Sequence, residues 1–370
     1  SIDGSYTYYV DIDDITLEGT AAAALPVPAP MPVPAPTPTL SPGSPAPDPA
    51  PSTGTGTIQE TMKVSGRFLY DSCGEKVILR GFNKMVVWED WTGVPRDGMP
   101  AYTEIKKTGA NSVRIVWVYT ENTTAAEMDA AISNAIKTGL IPIIEIHNQT
   151  CQWSHEAVQT VTNYWTSPEI LRVIQKHQRY LLLNFANEMG DFYTTDDSFR
   201  SEYAAAIKQM RVAGIHVPII IDGSQCGQDI GILQRTGPWL TEQDPDHNLM
   251  FSLHIYWTDN DPLRITKAIT DSVNMNLPLM IGEFANAFGA SCNEPIAYKT
   301  IIKECTINEI GYLPWSWDPQ NGCPNHSMTR DDTYDGLWGW GLEVAVTDPY
   351  SIKNTSVTPY SVQNGGSVCR

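Results

Sequence analysis

From about residue 58 to residue 360 the chain alternates two patterns. Short, continuously apolar, β-rich runs are followed by stretches with helical spacing. The apolar runs predict strands at Val77–Phe82, Ser112–Val118, Ile141–Ile146, Leu181–Phe185, Pro218–Asp222, Met250–Ile255, Leu279–Phe284 and Tyr312–Trp315, eight in all. They are apolar at successive positions, as expected of strands buried on both faces. Segments such as AAEMDAAISNAIKTG and RSEYAAAIKQMRVAG read as helices. Each ends in a glycine, Gly139 or Gly214, and runs straight into the next strand. Eight such repeats predict an α/β fold, a (β/α)8 TIM barrel. A doubly wound open sheet would need a glycine-rich loop after its first strand. The sequence there, GFNKMVVWEDWTG, lacks one.

The first 57 residues follow neither pattern. Residues 1–20 alternate at Tyr6, Tyr8, Val10, Ile12 and Ile15, which is strand-like, but a lone strand cannot fold by itself. The run YYVDIDDITLE resembles the last strand of a β-sandwich carbohydrate-binding module, so the segment reads as the remnant of an upstream module. Asp11, Asp13 and Asp14 read as a solvated strand end rather than a calcium site. Residues 21–57 are low in complexity and hold 12 of the 27 prolines, between Pro26 and Pro51. This is a stiff polyproline II spacer of the kind that tethers modules in exported polysaccharide-degrading enzymes. Residues 58–370 form the barrel domain, preceded by this extended proline-rich arm. If ordered against another protomer, the arm would hold a homo-oligomer together.

Charge narrows the partners. The formal net charge is −18, and the first basic residue is Lys63. Such a chain has no electrostatic footprint for nucleic acid or an anionic membrane. No apolar run approaches the length of a membrane span. Charged residues make up only 18% while Trp (11) and Tyr (16) are plentiful, which suits a neutral, ring-shaped ligand. The chain starts at Ser1, so a signal peptide is not visible; the linker is the sign of a secreted, extracellular protein. The seven cysteines show neither C-x-x-C nor zinc spacing. Cys292 and Cys323 follow neighbouring strands and are expected to pair. Cys73 and Cys369, at the two ends of the barrel chain, could also pair. Cys305, inside a helical pattern, reads as a buried free thiol.

In a barrel, function collects at the strand ends. Strand two carries Arg114. Strand three leads to His147, strand four to Asn187 and Glu188, and strand six to His254 and Tyr256. Strand seven ends with Glu283 and strand eight with Trp315. A carboxylate at the tip of a buried apolar strand carries a desolvation cost. Glu188 and Glu283 both occupy such positions, on strands that face each other across the barrel mouth. Two opposed carboxylates suit acid–base and nucleophilic work on an acetal.

Arg114, His147, Asn187-Glu188, His254-Ile255-Tyr256, Glu283 and Trp315, in that order, resemble glycoside hydrolase family 5 of clan A. The opening ILRGFN resembles the first-strand signature of that family. Met189 stands where many members carry proline. The resemblance spans roughly residues 76–320. It implies a retaining glycosidase with Glu188 as acid/base and Glu283 as nucleophile. Arg114 and Tyr256 would orient Glu283, and Asn187 would bond the sugar 2-hydroxyl. His147 and His254 would bond hydroxyls or carboxylates, and Trp315 would stack on the sugar. Neither metal nor organic cofactor is called for.

Further aromatics in the βα loops, Trp88, Trp91, Trp153, Trp257, Trp317 and Trp338, are expected to line a cleft for a linear β-linked polysaccharide or oligosaccharide. The leaning is to a cellulase- or lichenase-type β-glucanase, cleaving β-1,4 linkages in cellulose-like or mixed-linkage glucan. The alternative within the family is a β-1,4-mannanase. A non-catalytic glycan-binding barrel is the alternative of another class, but such proteins usually lose one carboxylate, and both are present.

Overall fold

A computed structural model of the chain describes residues 61–88, 95–363 and Cys369. The strand-like segment 1–20, the linker 21–57 and Trp91 lie outside the described residues. Eight parallel strands form one sheet: β1 (Gly81–Val87), β2 (Ser112–Trp117), β3 (Ile141–Ile146), β4 (Leu182–Asn184), β5 (Ile219–Asp222), β6 (Leu249–Ile255), β7 (Leu279–Phe284) and β8 (Gly311–Tyr312). Neighbours in sequence are neighbours in the sheet. A parallel bridge between Arg80 and Tyr312 brings β8 back to the start of β1, so the sheet is a nearly closed barrel. Helices such as Ala125–Lys137 and Asp196–Ala213 join the strands. The first opens with a capping box between Thr124 and Glu127, and the second ends at Gly214, whose φ of 95° releases the chain toward β5. No helix among the described residues is long and apolar enough to cross a membrane.

The barrel interior changes character along its axis. At the N-terminal ends of the strands, Ile141, Ile143, Leu182, Ile220, Met250 and Met280 belong to one apolar cluster. Leu69 and Val77 join the same cluster from a small antiparallel sheet, Lys63–Ser65, Phe68–Tyr70 and Lys76–Val77, and Met62 joins it from just before that sheet. One inward step further along the strands stand Glu145, Asn184, Asp222 and Ser252. The period of two hidden inside the apolar runs therefore aims polar side chains at the upper interior. β7 departs from the regular register between Ile281 and Glu283, and this bulge pairs Glu283 with His254 of β6.

Six expected strands coincide with observed ones to within two residues at either end. The first does not. Lys76–Val77 belongs to the small antiparallel sheet, and the barrel strand runs from Gly81 to Val87. The apolar pattern is interrupted there by Asn83 and Lys84, both fully buried. Burial is sustained by partners: Asn83 bonds Arg114 and the Gly282 carbonyl, and Lys84 bonds Asp318 and Asp332. The last strand is shorter than the expected Tyr312–Trp315, because Pro314 has no N–H to give to the ladder. The flanking Leu313 and Trp315 still donate to Ile281 and Phe284 of β7 at 3.0 and 2.8 Å.

Cys73–Cys369, Cys292–Cys323 and Cys151–Cys226 are disulfides, and Cys305 is a buried free thiol. The third bridge was not anticipated. Its cysteines lie 75 residues apart, and only the barrel brings the loops after β3 and β5 together.

Candidate active site

At the C-terminal ends of the strands lies a cavity of about 650 Å³. Its lining includes Trp88, His147, Glu188, Tyr256, Glu283 and Trp315. Arg114 stands beneath it, 1% exposed, and distributes its donors over four strands and loops. Nη1 reaches Glu283 Oε1 at 2.7 Å and Asn83 Oδ1 at 3.0 Å. Nη2 reaches Asn187 Oδ1 at 2.7 Å, and Nε reaches Asn184 Oδ1 at 2.9 Å. A guanidinium is the side chain that can satisfy so many acceptors at once without losing its charge.

Glu283 is held at its second oxygen as well, where the Tyr256 hydroxyl donates at 2.8 Å. Burial pushes its carboxyl up to about 7, against the opposing pull of Arg114, His147 and the Tyr256 bond. Glu188 is pushed well above the usual range by burial, then by the negative charges of Glu283 and Asp222. The oxygens that the two side chains turn toward one another lie within 4.8 Å. Two carboxylates this close cannot both ionise readily. The asymmetry of their partners decides which gives up its proton first. Glu283 has the cation and the phenol, so the shared proton stays on Glu188.

His254 Nδ1 lies 2.9 Å from Glu188 Oε1 and 3.6 Å from Glu283 Oε2. It is fully buried, and burial followed by the charge of Arg114 depresses its pKa far below the ordinary value. It is therefore a neutral imidazole. Gly227, at φ 78°, packs on its ring; a Cβ there would come within 2.8 Å of it. His147 is oriented from below by Glu145, at 2.9 Å from Nδ1, and its Nε2 lies 3.2 Å from the Asn187 amide. Asn187 also donates to Thr150 at 3.0 Å. Burial, then Glu283 and Glu188, push the Tyr256 phenol well above its usual range, so it stays a donor.

Every strand-end residue singled out in the sequence therefore meets at this mouth. Trp88, His147 and Trp315 form one aromatic wall, with ring centroids 4.7 to 6.0 Å apart. The other expected cleft aromatics are placed elsewhere. Trp153 is not among the lining residues; it packs on Phe199 and Tyr203 and donates to Ser198. Trp257 is also absent from the lining, with the Arg264 guanidinium 3.9 Å over its ring. Trp317 is core, edge-on to Phe82, and Trp338 faces Arg330. Position after a strand does not say which way an indole turns. Phe192, Phe288 and Gln320 line the cavity instead.

Sequence reasoning also passed over the polar floor: Asn83, Glu145, Asn184 and Asp222, each at most 1% exposed. The signal was present. Asp222 ends the run PIIID as Glu283 nearly ends LMIGEF, and Glu145 interrupts IPIIEI.

The family model described as Cellulase (glycosyl hydrolase family 5) matches residues 70–321. A mannan endo-1,4-beta-mannosidase of Cellvibrio japonicus is 28% identical over 304 residues, 79% of this chain and 67% of that protein. One from Salipaludibacillus agaradhaerens is 25% identical, covering 82% of this chain and 97% of its own. Among solved structures, the β-mannanase of Streptomyces thermolilacinus with mannohexaose superposes with a TM-score of 0.73 at 27% identity, over 84% of this chain and 99% of that one.

Proposed function

From the premise that this chain belongs to glycosyl hydrolase family 5, we propose that it is a retaining endo-β-1,4-mannanase. The observation that carries the mechanism is the spacing of Glu188 and Glu283, whose facing oxygens lie within 4.8 Å. Retaining glycosidases hold their two carboxyls about 5–5.5 Å apart, whereas inverting enzymes leave about 6.5–9.5 Å for a water. Glu283, ionised between Arg114 and Tyr256, attacks the anomeric carbon. Glu188, which keeps the shared proton, delivers it to the departing glycosidic oxygen. The glycosyl-enzyme ester neutralises Glu283, so the charge that raised the Glu188 pKa is gone. Glu188 then takes a proton from the incoming water, which releases the sugar from Glu283.

The other residues fit supporting roles. Arg114 occupies the Asn187 oxygen, so the Asn187 amide nitrogen is turned outward as a donor, and the sugar 2-hydroxyl would replace one of its present acceptors, Thr150 or His147. The wall of Trp88, His147 and Trp315 offers flat faces to the apolar side of a pyranose. The preference for mannan over the β-glucan suggested by the sequence rests on the relatives, which are named mannan endo-1,4-beta-mannosidases. The strand-end residues define chemistry at C1. They do not read the axial or equatorial hydroxyl at C2, which is where the two substrates differ.

The test is hydrolysis of linear mannan, lichenan and carboxymethylcellulose by the purified chain, followed by reducing-end release. Preferential cleavage of mannan to mixed oligosaccharides is expected, with proton NMR of early products recording the β-anomer. Efficient lichenan cleavage without mannan cleavage would transfer the assignment to a β-glucanase. Early α-anomer would end the retaining mechanism.

A further inference from the structure

One buried carboxylate with no role in the scheme above touches the backbone of the acid/base. Asp222 closes β5 and is fully buried. Its Oδ2 accepts the Glu188 backbone N–H at 2.8 Å, and its Oδ1 accepts the Asn184 amide at 3.0 Å. Oδ2 also lies 3.4 Å from His254 Nε2 and 3.7 Å from Arg114 Nη2. Glu188 itself has a φ of 49°, in the left-handed region that a glutamate seldom occupies. Such a conformation persists only where the surroundings hold it. Here the holders are Asp222 on the N–H and the Cys151 N–H on the carbonyl, at 3.0 Å. Cys151 is in turn tied to Cys226, four residues beyond Asp222.

We propose that Asp222 is a positioning residue for the acid/base: its carboxylate fixes the Glu188 backbone at the barrel mouth and faces the far nitrogen of His254. The second contact has a protonic consequence. A neutral imidazole carries one N–H. A protonated Glu188 donates to His254 Nδ1 only if that nitrogen is bare, which leaves the ring proton on Nε2, toward Asp222. Among the described residues His254 Nε2 has no hydrogen-bond partner, so Asp222 acts on this proton through its charge 3.4 Å away, and that charge favours the acid form of Glu188 and disfavours its anion.

The groups facing Glu188 are Glu283 from β7, Asp222 from β5, Arg114 from β2, Glu145 from β3, His254 from β6 and Tyr256 just after it. Asp222 also meets Tyr203 from the helix Asp196–Ala213. Of the negative charges in this set, Asp222 alone bonds the Glu188 main chain.

The inference rests on Glu188 being the acid/base, so the experiment includes Glu188→Ala beside Asp222→Asn and Asp222→Glu. kcat/KM is followed against pH on the polymer and on a dinitrophenyl glycoside, whose leaving group needs no proton. Asn keeps an oxygen for the Glu188 N–H but removes the charge. Asp222→Asn is expected to move the alkaline limb down by about one pH unit. Polymer turnover should fall roughly 10-fold, and dinitrophenyl glycoside turnover much less. Asp222→Glu keeps the charge but shifts it by one methylene, so the limb should stay while kcat falls. An unmoved limb with equal losses on both substrates would mean a merely structural residue and overturn the proposal. If Glu188→Ala retains polymer hydrolysis, the acid/base reading itself fails. If Glu188→Ala is inactive but Asp222→Asn overlays the wild type, only this inference fails. Should Asp222→Asn not fold by circular dichroism, the pH profile of Asp222→Glu decides: kcat lowered with the alkaline limb in place supports the proposal, and a profile that overlays the wild type overturns it.

Discussion

Replacing Arg114 with methionine removes the one cation bonded to Glu283 among the described residues and keeps roughly the volume of the side chain. Four hydrogen bonds vanish, to Asn83, Asn184, Asn187 and Glu283. Glu145 and Asp222 lose a counter-charge at 3.9 and 3.7 Å. Breaking a buried pair from one side costs about 3–5 kcal/mol, because the surviving charge is left uncompensated. The carboxyls can avoid much of that cost by taking up protons, and activity reports this directly. Glu283 titrates at about 7 with burial raising it and Arg114 opposing. Losing a neighbouring guanidinium raises a carboxyl by about two units. At pH 6 the ionised fraction of the nucleophile would drop from about one tenth to about one thousandth, a loss of roughly 100-fold. Glu188 also loses an opposing charge, so its proton is held to higher pH. Both limbs of the kcat/KM profile should therefore move up together, with part of the activity regained at alkaline pH. Arg114→Lys, which keeps the charge but not the fork, should move the limbs less. A methionine variant whose limbs coincide with the wild type, its activity merely scaled down, would refute this electrostatic account.

Tyr256→Phe removes the donor 2.8 Å from Glu283 Oε2 and nothing else of comparable size. A charge-assisted bond is worth about 1.5–3 kcal/mol, so kcat should fall roughly 10- to 100-fold with the acid limb displaced upward, as read from the pH dependence of kcat. Lys84→Met leaves Asp318 and Asp332 without the buried ammonium that both contact. Urea unfolding should record a loss of about 3–5 kcal/mol, and a loss below about 1 kcal/mol would deny that this pair anchors the loop after β8.

The barrel was legible because its strands are buried on both faces. Burial of that kind writes almost wholly apolar runs such as IPIIEI and PIIID, which need no partner to be recognised. Charged and polar residues at the tips of those runs stand out against the desolvation they would suffer, and so Arg114, Glu188, His254 and Glu283 could be read off. Where polar residues enter a strand early the same logic misled. Asn83 and Lys84 made β1 look finished before it had begun, since their partners Gly282 and Asp318 lie 199 and 234 residues away.

The one-dimensional order of residues thus settled the repeat, the barrel and the polar residues at its strand ends, because each depends on local periodicity. The tertiary structure alone decided what those side chains do to one another. The asymmetry between Glu188 and Glu283, the neutral state of His254, the Asp222 contact beneath Glu188 and the Cys151–Cys226 bridge all arise from groups on separate strands brought within a few ångströms. Electrostatic coupling depends on distance and on exclusion of water, and neither quantity is carried by spacing along the chain. The same holds for the indoles: a tryptophan after a strand is equally a cleft wall or a core residue until the neighbouring loop shows which side it faces.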